Sequence, residues 1–367
     1  MSVSEPMPLY PVQRQHLEEI SDGVGIMQHA IGRTPDPAHG YCTDDVARHL
    51  MVDLLHGRVL GWAAIADSAW RSLRFLDDAY DVSTGWFRNF RSADGAWVDV
   101  TPSEDAHACA LQALGEAIAD GSDARFRSGA DTLFRRALPR AARFRSIRPV
   151  AASILGCDAA IRAGVPGATA AYRSLVATLS LTLEKDAAAD AWPWPDPVLS
   201  YENALVTSAL IAAGRRLGDA ELARLGVRIL DWLVEVQTAP DGHLSPIGNA
   251  GWWPRGGTRA AFDQQPIEAA SILAAAAAAW GATGRDRYLT TAEAAYCWFL
   301  GRNDRSVAVA EPYRGGCFDG LTATGVNSNQ GAESTLMWLM ALEQMRGLRE
   351  AAAAATASAV ADDTQRG

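Results

Sequence analysis

Apolar residues recur at i, i+3 and i+4 along most of this 367-residue chain, but in two different settings. In residues 62–80, 124–143, 168–184, 219–237 and 286–301 the apolar positions are large and Arg and Asp stand between them. That is the pattern of helices buried along one side only. Between these segments lie others that are small and apolar nearly all round. Each of those opens on a short polar, acidic cluster: TDDVARHLMVDLL from Thr43, SEDAHACALQALGEA from Ser103, YENALVTSALIAAG from Tyr201, DQQPIEAASILAAAAAAW from Asp263 and NQGAESTLMWLMALEQM from Asn329. A weaker copy, RPVAASILGCDAAIRAG, starts at Arg148. An opening helix over residues 12–31 completes a set of about twelve, alternating outer and inner. Strand signal is confined to a hairpin over 85–100 with its turn at Asp94–Gly95, and a short excursion after Asp241–Gly242.

The repeat is irregular. Asp105 to Arg148 is 43 residues and Glu202 to Glu268 is 66, so loops of unequal length separate similar units. Solenoid repeats keep a nearly constant length and carry polar capping repeats. Both are missing here, which favours closure. The predicted fold is all-α: an (α/α)6 toroid of six helical hairpins with short β-hairpin excursions in the loops. Its expected limits are residues 12–349, after an N-terminal extension (1–11) and before an Ala-rich tail (350–367) expected to be flexible.

The chain resembles the six-hairpin glycosidase superfamily, which comprises glycoside hydrolases, some polysaccharide lyases and sugar epimerases. The resemblance covers about residues 12–347. It rests on the alternating hairpins, on YCTDDVAR and NQGAESTLMWLMAL, and on outer helices ending in Phe75–Leu76, Trp232–Leu233 and Phe299–Leu300. It implies a carbohydrate pocket at the end of the toroid where the inner helices begin.

Composition narrows the partners. The net charge is −10 and no Lys/Arg-rich run is present, which argues against nucleic acid or an anionic membrane surface. MSVSEPMPLYP has neither a basic nor an apolar leader segment, and the longest apolar stretch, 269–280, is too short to span a bilayer. Five cysteines (42, 109, 157, 297, 317) without CxxC spacing read as free thiols in a reducing cytoplasm. With no HExxH, DxDxDG, GxGxxG or GxSxG, no metal and no cofactor is expected.

One acidic residue in a first helical turn is ordinary, favoured by the helix dipole, and Thr43 and Ser103 are ordinary caps. Five clusters gathered at one rim of a buried ring are different: carboxyls there need partners or raised pKa values, a mark of functional sites. Asp44 and Arg48 are spaced to pair on one helix face. Asp105, Cys109, Gln112 and Glu116 share a face, which turns Asp105 toward the pocket and Glu104 toward a neighbouring helix. Sugar hydrolysis needs one protonated carboxyl and one base or nucleophile. In a six-fold ring Asp45 faces Glu202, and Asp105 faces Glu268. These four are the expected catalytic candidates, and an inverting pair would stand roughly 6.5–9.5 Å apart. Asp44, Glu104, His107, Gln264, Gln265, Asp319, Asn329, Gln330 and Glu333 are expected around the substrate. So are the loop tryptophans Trp86, Trp97, Trp194, Trp252 and Trp253, whose faces suit a pyranose ring.

The leading reading is a hydrolase of oligosaccharides or glycosides, and a carbohydrate is the expected ligand. Two alternatives stand beside it. A sugar epimerase, isomerase or uronate-acting lyase would abstract a proton from carbon, often with His or Tyr. A non-catalytic glycan-binding module would keep its aromatic loops and need none of the carboxylates.

Overall fold

The computed structural model describes residues 7–186 and 192–366. Twelve α-helices lie among them: α1 (Gln15–Glu19), α2 (Thr43–Leu60), α3 (Ala66–Ala79), α4 (Glu104–Asp120), α5 (Ala124–Ala137), α6 (Ile147–Arg162), α7 (Ala168–Asp186), α8 (Asn203–Leu217), α9 (Ala220–Val236), α10 (Pro266–Thr283), α11 (Asp286–Phe299) and α12 (Ala332–Arg366). The even-numbered helices pack side by side in the order α2, α4, α6, α8, α10, α12, and α12 returns to α2, so the inner ring is closed. Helices α3, α5, α7, α9 and α11 each pack outside the inner helix that precedes them, and α1 lies against α12. The fold is the (α/α)6 toroid, and the alternation of two apolar settings corresponds to its two layers.

Local sequence explains both layers. Asp123 and Asp219 cap α5 and α9, their carboxylates accepting two backbone N–H groups each at 2.8–3.0 Å. On α5 the buried residues Phe126, Ala130, Leu133, Phe134 and Ala137 form one stripe. The inner helices are buried on most sides, and small residues let them approach. At the crossing of α4 and α6 a Cβ on Gly115 would stand 2.1 Å from the Gly156 carbonyl oxygen, so only glycine fits there.

Three elements depart from expectation. The opening helix is five residues, not twenty. Asp22 accepts the N–H groups of Val24 and Gly25 and turns the chain, and Ala30–Ile31 then pairs with Thr34–Pro35 as a hairpin. Gly32, with a left-handed backbone (φ 59°), makes the hairpin turn that an apolar count cannot see. Residues 85–100 are split between two pairings: Trp86–Phe87 joins Tyr80–Asp81, while Phe90–Arg91 joins Tyr41–Cys42 directly before α2. The expected turn at Asp94–Gly95 is present, closed by Ser92 and Ala96. Finally, α12 continues as helix to Arg366 where a flexible tail was expected. The chain before α1 is strapped down by α11 and α12: Arg346 donates to the Tyr10 carbonyl at 2.6 Å and Tyr296 to that of Pro8 at 2.9 Å.

Candidate functional site

All six inner helices start at one end of the toroid, and Asp45, Asp105, Arg148, Glu268 and Glu333 fall in their first turns, with Glu202 at the N-cap of α8. Two cavities meet there. The outer one, about 410 Å³, forms a polar mouth lined by loop residues (Gln28, His29, Asn249, Asp263, Gln265, Asp319, Thr322 and Asn327) together with Asp44, Asp45, Arg48 and Glu333. The second, about 560 Å³, runs down the axis between the inner helices and takes in Asp105, Arg148, Tyr201 and Glu202. Asp44, Arg48 and Glu333 line both and mark the junction.

Arg48 organises that junction. Its Nη1 lies 3.2 Å from Asp45 Oδ1 and 3.2 Å from Glu333 Oε2. The expected pairing with Asp44, four residues away, is replaced by one with Asp45, three away. Asp44 Oδ1 is buried without a hydrogen-bond partner. Burial raises the Asp44 carboxyl to about 6, opposed by Arg48 and assisted by Asp105 and Glu333. Asp45, 3% exposed, is pushed by burial to about 8. Carboxyls this crowded cannot all ionise, so protons are retained near neutrality.

On the far side of the ring the 200–203 turn is held from three directions. The Arg148 guanidinium donates to the Tyr201 carbonyl, to Ser200 Oγ at 2.9 Å and to Asn203 Oδ1 at 2.8 Å, and lies 4.4 Å from the Tyr201 ring centre. Tyr201 donates its hydroxyl to Asp105 Oδ2 at 2.9 Å. Glu202 takes a left-handed backbone (φ 47°, ψ 40°), unfavourable for a residue other than glycine. Its N–H donates to Glu268 Oε1. Burial raises the Glu202 carboxyl to about 7 and that of Glu268 to about 8.

Of the four expected catalytic carboxyls, Asp105 and Glu202 face the axial cavity and Asp45 faces the mouth. Glu268 lines neither. It is 1% exposed and braces the turn that presents Glu202. Among the expected substrate contacts, Asp44, Gln265, Asp319 and Glu333 line the mouth. The others are placed as supports. Glu104 accepts the N–H groups of Arg145 and Ser146 and so caps the start of α6. His107 is buried between the Ala137 carbonyl (3.1 Å) and the Phe87 N–H (3.3 Å), and burial lowers it to about 4, a neutral strut. Gln264 is buried, accepting from Trp298 and donating to Asp304. Asn329 accepts from Gly32, and Gln330 donates to Glu311.

Among the described residues no tryptophan lines either cavity, where a sugar platform was expected. These rings pack on other rings instead. Trp86 meets His107 at 5.0 Å and Trp97 meets Phe75 at 5.5 Å. Trp253 stacks on Trp232 at 6.2 Å, and Trp252 tilts against Tyr201 at 6.4 Å. Trp194 is fully buried, with Arg148 over its ring. Large apolar area is worth more when buried against helix ends than when left at a wet mouth. Sequence reasoning missed Arg148 and Tyr201 as parts of the site. A signal existed: Arg148 stands where the other repeats carry an acid.

Among the described residues no group of His, Cys, Asp and Glu is arranged to hold a metal ion, and no helix is long and apolar enough to cross a membrane.

No protein-family model matches the sequence, and no curated protein matches it. Solved structures do. A cellobiose 2-epimerase from Spirochaeta thermophila is 16% identical, with a TM-score of 0.68 over 92% of this chain and 95% of that one. A sugar epimerase from a ruminal bacterium is 14% identical, with a TM-score of 0.72 over 91% of this chain and 98% of that one. A GH76 alpha-mannanase from Bacteroides thetaiotaomicron is 11% identical, with a TM-score of 0.64 over 92% of this chain and 95% of that one. At these identities the likeness is one of fold: proteins described as epimerases and as a mannanase share the helical toroid of this chain.

Proposed function

We propose that this chain is a glycoside hydrolase that works at the junction of the two cavities. The observation that supports the reading is chemical. Asp44, Asp45, Asp105, Glu202 and Glu333 surround Arg48 and Arg148, whereas His29 in the mouth is the one imidazole among the described residues lining either cavity. Hydrolysis needs carboxyl groups in two protonation states. Asp44 has the features of the acid: an unpartnered buried oxygen and a pKa raised to about 6. Glu333, ion-paired to Arg48 and with its side chain 40% exposed, has those of the base. Asp44 gives its proton to the glycosidic oxygen as the bond to the anomeric carbon breaks. Glu333 takes a proton from the water that attacks that carbon. The products are a free sugar and an alcohol, and one water is consumed.

The mouth supports a neutral or amino sugar over a uronate. Its one guanidinium is already shared between Asp45 and Glu333, and Asp263 and Asp319 add negative charge. A uronate would meet like charge there, and the one guanidinium among the described residues of the mouth is already paired.

The second reading, an epimerase or isomerase, is favoured by His29, which lines the mouth and whose ring lies 4.5 Å from that of His39. A panel of oligosaccharides and simple glycosides, followed by NMR of the product anomer, tests the proposal. Inversion with loss of activity in Asp44→Asn and Glu333→Gln is the expected result. Retention would displace the inverting mechanism. Binding without turnover of any substrate would favour a glycan-binding module.

A further inference from the structure

The axial cavity carries Asp105, Arg148, Tyr201 and Glu202 at its upper end, and most of the rest of its wall is apolar. Here the facing positions are small: Ala108 on α4, Ala152 on α6, Ala212 on α8, Ala270 and Ala274 on α10. Leu155, Leu205, Met337 and Met340 complete an apolar wall, leaving about 560 Å³ open along the axis. That size is in the range of ligand sites, and an apolar cavity takes apolar guests more readily than water. Deeper down the wall carries Gln112, which donates to Glu116 at 3.2 Å. The far end is ringed by ion pairs, Arg58 to Asp120 at 3.1 Å and Arg162 to Asp120 at 3.7 Å.

The two cavities thus differ in chemistry and share one boundary. Above Asp44, Arg48 and Glu333 lie amides, hydroxyls and carboxylates; below them, past Asp105, Arg148, Tyr201 and Glu202, the wall is mostly alanine, leucine and methionine with Gln112, Glu116, Ser208 and Ser271 set into it. A molecule cleaved at that boundary has a polar part above and an apolar part below.

We propose that the axial channel is the leaving-group subsite, and that the substrate is a glycoside of an apolar alcohol, alkyl or aryl, whose sugar sits in the mouth. This rests on the hydrolytic reading above. In the reaction water adds to the anomeric carbon, the bond from that carbon to the glycosidic oxygen breaks, and the oxygen leaves with the Asp44 proton as an alcohol in the channel. Methionine on α12 suits guests of variable shape, because its side chain repacks easily.

The test uses the whole protein and a probe that is independent of the sugar: n-alkanols from butanol to decanol, with binding followed by calorimetry. Each added methylene should tighten binding roughly two- to fourfold until the channel is filled. Ala274→Phe, which fills the channel away from the acids, should abolish that dependence on chain length. It should also lower kcat/KM for hexyl glycosides more than for methyl glycosides. Ala278→Leu, one turn further down α10, serves the same purpose if Ala274→Phe does not fold. Alkanols that fail to bind, or that bind equally well to a folded channel-filling variant, overturn the proposal. Hydrolysis of plain oligosaccharides without alkanol binding leaves the hydrolytic reading intact and removes only this one. Graded alkanol binding with no cleavage of any glycoside keeps the apolar ligand site and removes the hydrolytic reading.

Discussion

The starts of α2 and α10 look alike in sequence and do different work. Both run from a polar cluster into a small, apolar helix, and both bury a carboxyl whose pKa is raised to about 8, Asp45 and Glu268. At α2 the cluster stands where two cavities meet, and Asp44 keeps an oxygen without a partner. At α10 the carboxyl faces protein: Glu268 accepts the Glu202 N–H and lies 3.5 Å from Asn203 Nδ2. On the proposed mechanism the same acidic junction is a reactive group at α2 and a brace at α10. What separates them is whether the next helix in the ring leaves room beside it.

That contrast can be broken by substitution. The largest effect is expected at α2: Asp44→Asn should lower kcat by about 10²–10⁴-fold, the usual contribution of a general acid, with little change in thermal stability. If Asp44→Asn keeps full activity while Glu268→Gln loses it with its fold intact, the two roles are exchanged. Glu202→Gly comes next. The left-handed backbone of Glu202 suits glycine, so the variant should gain about 1 kcal/mol in stability by denaturant titration. It should lose activity at the same time, because the carboxyl facing the channel is gone. A stability loss would show that Glu202 is a structural residue rather than a strained functional one.

Glu268→Gln should act mainly on stability and its pH dependence. The Glu268 carboxyl is raised by burial from 4.5 to about 8, so the folded state holds a proton that the unfolded state releases. Its contribution is fully present below pH 4.5, declines as pH rises toward 8, and is gone above. The slope for one such group is at most about 1.4 kcal/mol per pH unit. The variant should flatten the fall of Tm between pH 5 and 8. An unchanged slope would mean that Glu268 is ionised in the folded protein. The smallest effect is expected from Tyr201→Phe, which removes the hydroxyl that Asp105 accepts. An ordinary hydrogen bond is worth about 0.5–1.5 kcal/mol, so kcat/KM should fall by about two- to tenfold with KM nearly unchanged.

The toroid was legible because it depends on periodicity. Apolar spacing distinguishes one-sided outer helices from all-round inner ones, and Asp123 and Asp219 mark where outer helices begin. The rim was legible for the same reason, since it is set by helix starts. The use made of each rim residue was not legible. Whether Glu104 reaches a cavity or the N–H groups of Arg145 and Ser146 depends on the path of a loop 41 residues away. The loop tryptophans show the same limit: Trp194 and Trp253 are flanked by Gly and Pro as a sugar platform would be, yet they pack inward on Arg148 and Trp232. Arg148 was hidden by being the wrong charge for the pattern. The axial channel was hidden because alanine is also the commonest filler of a close helix crossing, and only the geometry separates a close crossing from a hollow axis.

The central claim is that rim carboxyls cleave a glycosidic bond rather than move a proton on carbon. Proton NMR in D2O separates the two in a single tube, with disaccharides and alkyl glycosides as substrates. Release of free sugar, with hydrogen retained at C2 and the anomeric configuration inverted, is the predicted result. Deuterium entering C2 while the glycosidic bond stays whole would contradict it.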